Sequence, residues 1–467
     1  MRRLAWLLPV ALLLAGCASG PTAPPVSDPP SRLQPSGELP PMKTFGAYKP
    51  APVGRSNGQL AADFMELSFQ MESGRALTRF TRFEGPVRVA VFGDAPLTLG
   101  PDLARLLDRL QREAGLDIAR AGQNEAAQIV VEALPRREIQ RYVPQAACFV
   151  VPNVAGWNEF LRNRRSSTVD WTRLQTRTRA SVFVPNDVSP QEVRDCLHEE
   201  IAQALGPLND LYRLENSVFN DDNFHPVLTS FDMLMLRVTY APELRSGMLP
   251  AQVAEKLPRI LNRLNPGGRP AGRAQPNVPR RDWINAVEAA LGPGTSPRKR
   301  EETAVEAVRI ARDAQFPDVR SAFSYYVLGR LALGSDPELS LASFLQAGGL
   351  YGAAEGTEVQ QAHVTMQIVA FALINGQANT ALRLANSALP AVQRSENAAL
   401  LATLLMMKAE ALDLLGRASE AEAVRLDSLG WARYGIGSDA RVRARLAEIA
   451  ALPPPVRAPE ETTDRGS

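Results

Sequence analysis

Leu197-His198-Glu199-Glu200-Ile201-Ala202-Gln203-Ala204-Leu205-Gly206, followed by Pro207-Leu208-Asn209-Asp210, forms a helix and its exit, and the faces of that helix decide the fold. Its start is marked by Ser189-Pro190-Gln191-Glu192: an N-cap, a proline at the first helical position and a capping-box glutamate. At about 100° per residue, Val193, Leu197, Ile201 and Ala204 fall on one apolar stripe, with Cys196 at its edge. Glu200 lies in the middle of that stripe, and Glu199 and Gln203 flank it on one side. His198 points nearly the opposite way. Upstream, Ala180-Ser181-Val182-Phe183-Val184 has strand composition, and Pro185-Asn186-Asp187 makes the turn into the helix.

A zinc-protease helix carries His-Glu-x-x-His because residues four apart stack on one face. Two imidazoles then reach one metal, and the glutamate acts as base on the metal-bound water. Counted from His198, the second ligand position holds Ala202. Shifted by one residue, Glu199-Glu200-x-x-Gln203-x-x-Gly206-x-x-Asn209 has the spacing of the metzincin pattern His-Glu-x-x-His-x-x-Gly-x-x-His, with all three ligands replaced. The stripe selects the shifted register, because Glu200 is aimed inward and His198 cannot share its site. Glu199, Gln203 and Asn209 are thus degenerate metal-ligand positions, and Glu200 takes the catalytic position of the base. Zinc prefers imidazole and thiolate, so the expectation is a metal-free descendant without a cofactor. A hard cation such as calcium is the alternative, with Asn220-Asp221-Asp222-Asn223 close in sequence but lacking EF-hand spacing. A carboxylate on an apolar stripe needs a partner or a raised pKa. A buried ion pair with an arginine accounts for Glu200 as well as catalysis does.

With Asn216-Ser217-Val218-Phe219-Asn220-Asp221-Asp222, the run from Thr229 to Tyr240 and Arg245-Ser246-Gly247-Met248, this helix resembles a bacterial domain-of-unknown-function family (number 2927) over about residues 60–263. The resemblance implies a remote, ligand-poor relative of metzincins in secreted or lipid-anchored proteins. It implies a fold and no activity. Asp232-Met233-Leu234-Met235 is similar to the metzincin Met-turn region, but an apolar helix opening after Thr229 or Ser230 explains both methionines.

Residues 1–16 read as a signal peptide. Arg2-Arg3 gives a positive start, residues 4–14 an apolar core too short to span a bilayer, and Leu14-Ala15-Gly16-Cys17 a lipobox. This resembles a bacterial lipoprotein signal, which makes Cys17 the acylated first residue, anchored by several acyl chains. By analogy with Gram-negative sorting, Ala18 favours the outer membrane, facing the periplasm. Cys148 and Cys196 are then an even pair in an oxidising compartment. They either form a disulfide, which for a loop of about 47 residues stabilises by roughly 4 kcal/mol in the entropic description, or stand as two separately buried thiols.

Residues 17–58, rich in Pro, Gly, Ser and Ala, are expected to be a disordered tether with an rms span of roughly 35 Å. Residues 59–264 read as α+β, with strands at 87–92, 127–132, 148–151 and 180–184 and a helix over 103–114. Residues 265–282 form a Pro- and Gly-rich linker. Beyond it, over 283–450, Ala and Leu dominate, and Gly334-Ser335-Asp336-Pro337, Asn375-Gly376-Gln377 and Gly416-Arg417 each divide a helical pair, about 40 residues apart. Gly376 with Ala381 and Ala388, and Ala409 with Ala421, resemble degenerate tetratricopeptide hairpins. Residues 451–467 read as a disordered tail. The fold class is therefore an α+β zincin-like domain followed by an all-α helical-repeat domain.

A net charge of +2 argues against a general nucleic-acid partner. No nucleophile elbow, glycine-rich phosphate loop or Cys-x-x-Cys occurs, and of three histidines His225 and His363 have structural settings. These features lead to a periplasm-facing outer-membrane lipoprotein acting as a non-catalytic scaffold or a peptide- or protein-binding module, with an envelope protein partner on the repeats. The competing expectation is a hydrolase of peptides or cell-wall material with Glu200 as general base.

Overall fold

The computed structural model describes residues 37–268, 280–316 and 318–454. The expected signal peptide over residues 1–16, Cys17, the expected tether up to residue 36 and most of the expected linker and tail fall outside these residues. The first domain holds α1 (Asn57–Phe69), β1 (Val87–Gly93), α2 (Leu99–Ala114), β2 (Ile118–Arg120), β3 (Ile129–Leu134), α3 (Arg136–Tyr142), β4 (Phe149–Pro152), α4 (Trp157–Asn163), β5 (Ala180–Pro185), α5 (Pro190–Leu205), α6 (Ser230–Thr239) and α7 (Pro250–Leu264).

The five strands form one sheet in the order β2-β1-β3-β5-β4, all parallel except β4, which runs antiparallel to β5. Every residue of β5 is buried, because α5 covers one face and an aromatic cluster the other. That cluster joins Phe149, Trp157, Phe160 and Phe183, with Phe149 and Phe183 rings 5.0 Å apart. A strand buried on both faces reads as a continuous apolar run, as 180–184 does. The short β2 carries too few residues to show a period, and only its pairing with β1 makes it a strand.

The second half contains α8 (Arg281–Leu291), α9 (Pro297–Ala314), α10 (Arg320–Ala332), α11 (Pro337–Gly352), α12 (Glu358–Ile374), α13 (Ala378–Arg394), α14 (Ala398–Leu414), α15 (Ala418–Gly435) and α16 (Asp439–Ala450), stacked as helical repeats. The expected turn signals fall between α10 and α11, α12 and α13, and α14 and α15. Gly376 and Gly416 end their helices at φ +67° and +72°, conformations that cost side-chain-bearing residues far more. α8 begins within the segment assigned to the linker by composition.

The loop at 206–229 between α5 and α6 joins the two halves. Phe224, 2% exposed, lies inside the repeat core against Tyr326 (5.1 Å) and His363 (4.7 Å), and Tyr212 packs on Trp283 (5.1 Å). Gln191 of α5 donates to Asn397 Oδ1 (3.2 Å) and accepts from the Ala399 amide (2.9 Å), while Arg194 pairs with Glu396 (3.1 Å). Aromatic anchors and buried polar pairs of this kind hold two domains as one body.

Residues 37–55 correct the expectation of a tether through 58. Leu39 is buried in the core of the last repeats, Phe45 lies 4.6 Å from Trp431, and the Lys43 amide donates to the Gly430 carbonyl. Arg109 stacks on Tyr48 at 3.8 Å, and the Ala51 amide donates to Ser230 Oγ. Composition signals only that this segment forms no helix or strand of its own. Spaced side-chain anchors fix its path. Among the described residues, no helix is long and apolar enough to cross a membrane.

Candidate functional site

α5 starts as its caps dictate: Ser189 Oγ accepts from the Glu192 amide, and Pro190 occupies the first turn. Its C-terminus is held by Arg177, whose buried guanidinium donates to the carbonyls of Gln203 (2.5 Å), Ala204 (2.7 Å) and Gly206. Burial lowers the Arg177 pKa to about 10, so the group stays cationic against the negative end of the helix. Cys196 of α5 is bonded to Cys148, the residue just before β4, with Cα atoms 5.9 Å apart. The disulfide ties the helix to the edge strand, and it takes both sulfurs out of metal chemistry.

The three histidines are engaged away from the carboxylates of α5. His198 is buried on the opposite side, where its Nδ1 accepts from the Leu228 amide at 3.1 Å. Burial, then the charges of Arg109, Arg194 and Arg105, hold it neutral. His225 bonds the Glu215 carbonyl through Nε2 (3.0 Å), and His363 stacks on Phe224. The residues at the zincin positions therefore do not fit zinc, which needs imidazole or thiolate donors.

Glu200 is 4% exposed, and its Oε2 has no hydrogen-bond partner. Among the described residues, the arginine pair considered from the sequence does not form. Its nearest acidic neighbour is Glu199: oxygens of Glu199 and Glu200 and the Cys148 sulfur lie within 4.8 Å of one another. Gln203 donates to Asp210 Oδ2 at 3.1 Å. Asn209 turns away, donating to the Glu66 carbonyl of α1 at 3.2 Å. The third degenerate ligand position is thus not part of the cluster, and its neighbour Asp210 is. The chain leaves the helix at Gly206 with φ −165° rather than continuing helically, so a residue count along the helix misplaces the residues beyond that turn.

Two further carboxylates meet Asp210. Glu72 stands in the turn at 71–75 after α1, and Asp221 in the loop at 206–229. One oxygen of each of Glu72, Asp210 and Asp221 lies within 4.8 Å of the others. Burial, followed by the fields of Asp221 and Glu72, raises Glu199 to about 8. Burial and then Glu72 raise Asp221 to about 6, against the pull of a hydrogen bond from Tyr212. Asp210 and Glu200 are pushed well up, first by burial and then by these same carboxylates. Asp221 lies in a tetrad that stands out in the sequence, whereas Glu72 sits in an ordinary polar turn and carries no local signal.

Met233 and Met235 are buried core residues of α6, which opens at a Thr229 cap whose box is completed by Asp232. A separate cleft of about 660 Å³ lies between the domains, lined by the 48–55 segment, α1, Arg213, Asn216, Glu358 and Arg394.

No curated protein and no solved structure matches the chain. Residues 57–259, which span α1 through most of α7, match the family described as "Protein of unknown function (DUF2927)", and this domain of the chain belongs to that family.

Proposed function

We propose that this protein is a lipid-anchored envelope protein that binds a peptide or protein segment without cutting it. The observation that carries this is the cleft between the domains, walled by both and roofed by the extended 48–55 segment. Arg55 on its wall is already paired with Asp63 and Glu215, and Arg213 with Asp63 and Glu66, so its charges are fixed before a ligand enters. Preorganised polar walls favour binding over rearrangement. The ligand chemistry of α5 supports the absence of cutting, since its carboxylates and amide replace the imidazoles of a zinc helix. The lipobox ending at Cys17 supports the anchor, and the residue after it supports an outer-membrane position facing the periplasm. The repeats supply a further surface for an envelope partner.

A hydrolase is the second proposal, favoured by one observation: Glu200 is a buried carboxyl whose pKa is pushed well up, first by burial and then by Glu199 and Glu72, the kind of shift that catalytic carboxyls show. The two readings separate in one experiment. The mature chain is presented with a peptide library and with peptidoglycan, and both retention and turnover are measured. Retention without turnover, weakened by Arg394→Glu, is expected. Turnover that disappears in Glu200→Gln overturns the binding reading.

A further inference from the structure

Buried carboxylates elsewhere in this arginine-rich chain have cationic or donor partners. Asp63 meets Arg55 and Arg213, Glu410 and Asp413 meet Arg425, and Asp232 accepts from Ser217 and the Val218 and Thr229 amides. The cluster beside α5 is different. Glu72 comes from the turn after α1, Asp210 and Asp221 come from two places in the loop at 206–229, and one oxygen of each converges to within 4.8 Å of the others, with Glu199 adding its field to theirs. Among the described residues, no arginine or lysine forms an ion pair with any of the four. Arg281, which bonds the Glu72 backbone carbonyl at 3.0 Å, sends its charge to Glu288.

Glu410 and Asp413 each leave one oxygen unpartnered too, but both meet the Arg425 guanidinium, whereas two unpartnered oxygens beside α5 belong to carboxylates with no such cation. Asp210 Oδ2 is held by Gln203 and its carboxyl also meets that of Glu72, but no donor from outside the acidic cluster reaches its buried Oδ1. Glu200, only 4% exposed, also leaves an oxygen unpartnered, and its carboxylate lies against that of Glu199. Like charges brought this close repel unless protons or a cation lie between them.

We propose that Glu72, Asp210 and Asp221, with Glu199 adjoining, hold one calcium ion. Oxygen is the only donor type these side chains offer, which suits a hard cation. Calcium takes its ligands at about 2.3–2.6 Å, so oxygens on opposite sides of it stand about 4.6–5.2 Å apart, the scale of this cluster. Magnesium demands a tighter octahedron and keeps its waters. The ion would bind the exit of α1, the exit of α5 and the loop at 206–229 together. That loop carries Tyr212 and Phe224 into the repeats, so the site sits at the root of the domain junction. This role is independent of any peptide in the cleft.

The test uses the full mature chain, purified, stripped with EDTA and dialysed. Calcium titration by calorimetry is expected to show one site per chain with Kd about 10⁻⁵–10⁻⁴ M. Calcium should raise Tm, and terbium should show emission sensitised by Tyr212, which hydrogen-bonds Asp221. Asp210→Asn with Asp221→Asn should abolish binding and leave Tm in EDTA equal to or above that of the wild type. Glu72→Gln, at an exposed turn position, should weaken binding at least tenfold in a protein whose fold is not in question. No binding at 10 mM calcium, preference for magnesium or zinc, or binding unchanged in both variants overturns the proposal.

Discussion

Tyr434 on α15 donates its hydroxyl to Asp102 Oδ2 on α2 at 2.9 Å, joining residues 332 positions apart across the interface between the sheet domain and the repeats. Asp102 is 1% exposed and is also paired with Arg105. Burial raises its pKa, and the Tyr434 bond is the largest opposing influence. Tyr434→Phe removes one donor and leaves a buried carboxylate oxygen short of a partner, which costs about 1–3 kcal/mol. Urea denaturation should show this loss. A midpoint equal to that of the wild type would mean that the junction does not depend on the bond.

Phe224 is the apolar counterpart of that link. Phe224→Ala empties a pocket formed by Phe323, Tyr326, Tyr351 and His363 and should cost about 3–5 kcal/mol. Hydrogen exchange should rise in α10 to α12 as well as in the loop at 206–229. Faster exchange confined to the loop would contradict its role as a shared core residue.

Cys148 and Cys196 close a loop with a sequence separation of 48. Their double replacement by serine should lower stability by up to about 4 kcal/mol, the entropic limit for such a loop, with the unfolding rate rising more than the folding rate falls. Equal stability with and without reductant would show that the helix is held by packing alone.

His225 and His363 give the fold an acid limit. Burial lowers His225 to about 4, against the pull of the Glu215 carbonyl and Glu358. Burial, then Arg330 and His225, lower His363 to about 3. Unfolded, both titrate near 6.5. Their contribution is therefore complete above about pH 6.5 and is lost as pH falls towards 4, where the unfolded chain binds protons that the native state refuses. With partial exposure allowed for, each accounts for about 1–2 kcal/mol. The raised carboxylates near α5 act in the opposite sense over the same range, so the comparison is with His225→Gln and His363→Gln. Those variants should lose less stability than the wild type between pH 7.5 and 5. Parallel pH profiles would remove the histidines from the account.

The sequence by itself determined the elements whose signals are local. The Ser189-Pro190 cap and the 3.6-residue stripe specified α5, alternation and β-branched runs specified four strands, and Gly376 and Gly416 marked the hairpin turns. Each signal acts within one or two turns of backbone, where propensity and capping set the energy. The orientation of Glu200 towards a carboxylate neighbourhood comes from the same stripe. Its neighbours there were decided elsewhere in the chain. Glu72 and Asp221 approach α5 only because the α1 exit and the loop at 206–229 pack on it, and Asp210 replaces Asn209 because the backbone turns at Gly206. The order imposed on residues 37–55 has the same origin. Leu39, Phe45 and Tyr48 are too far apart to give a period, and they become anchors only once the repeats and α2 provide surfaces to receive them. Periodicity reports which face of an element is buried, whereas long-range packing selects the groups that bury it.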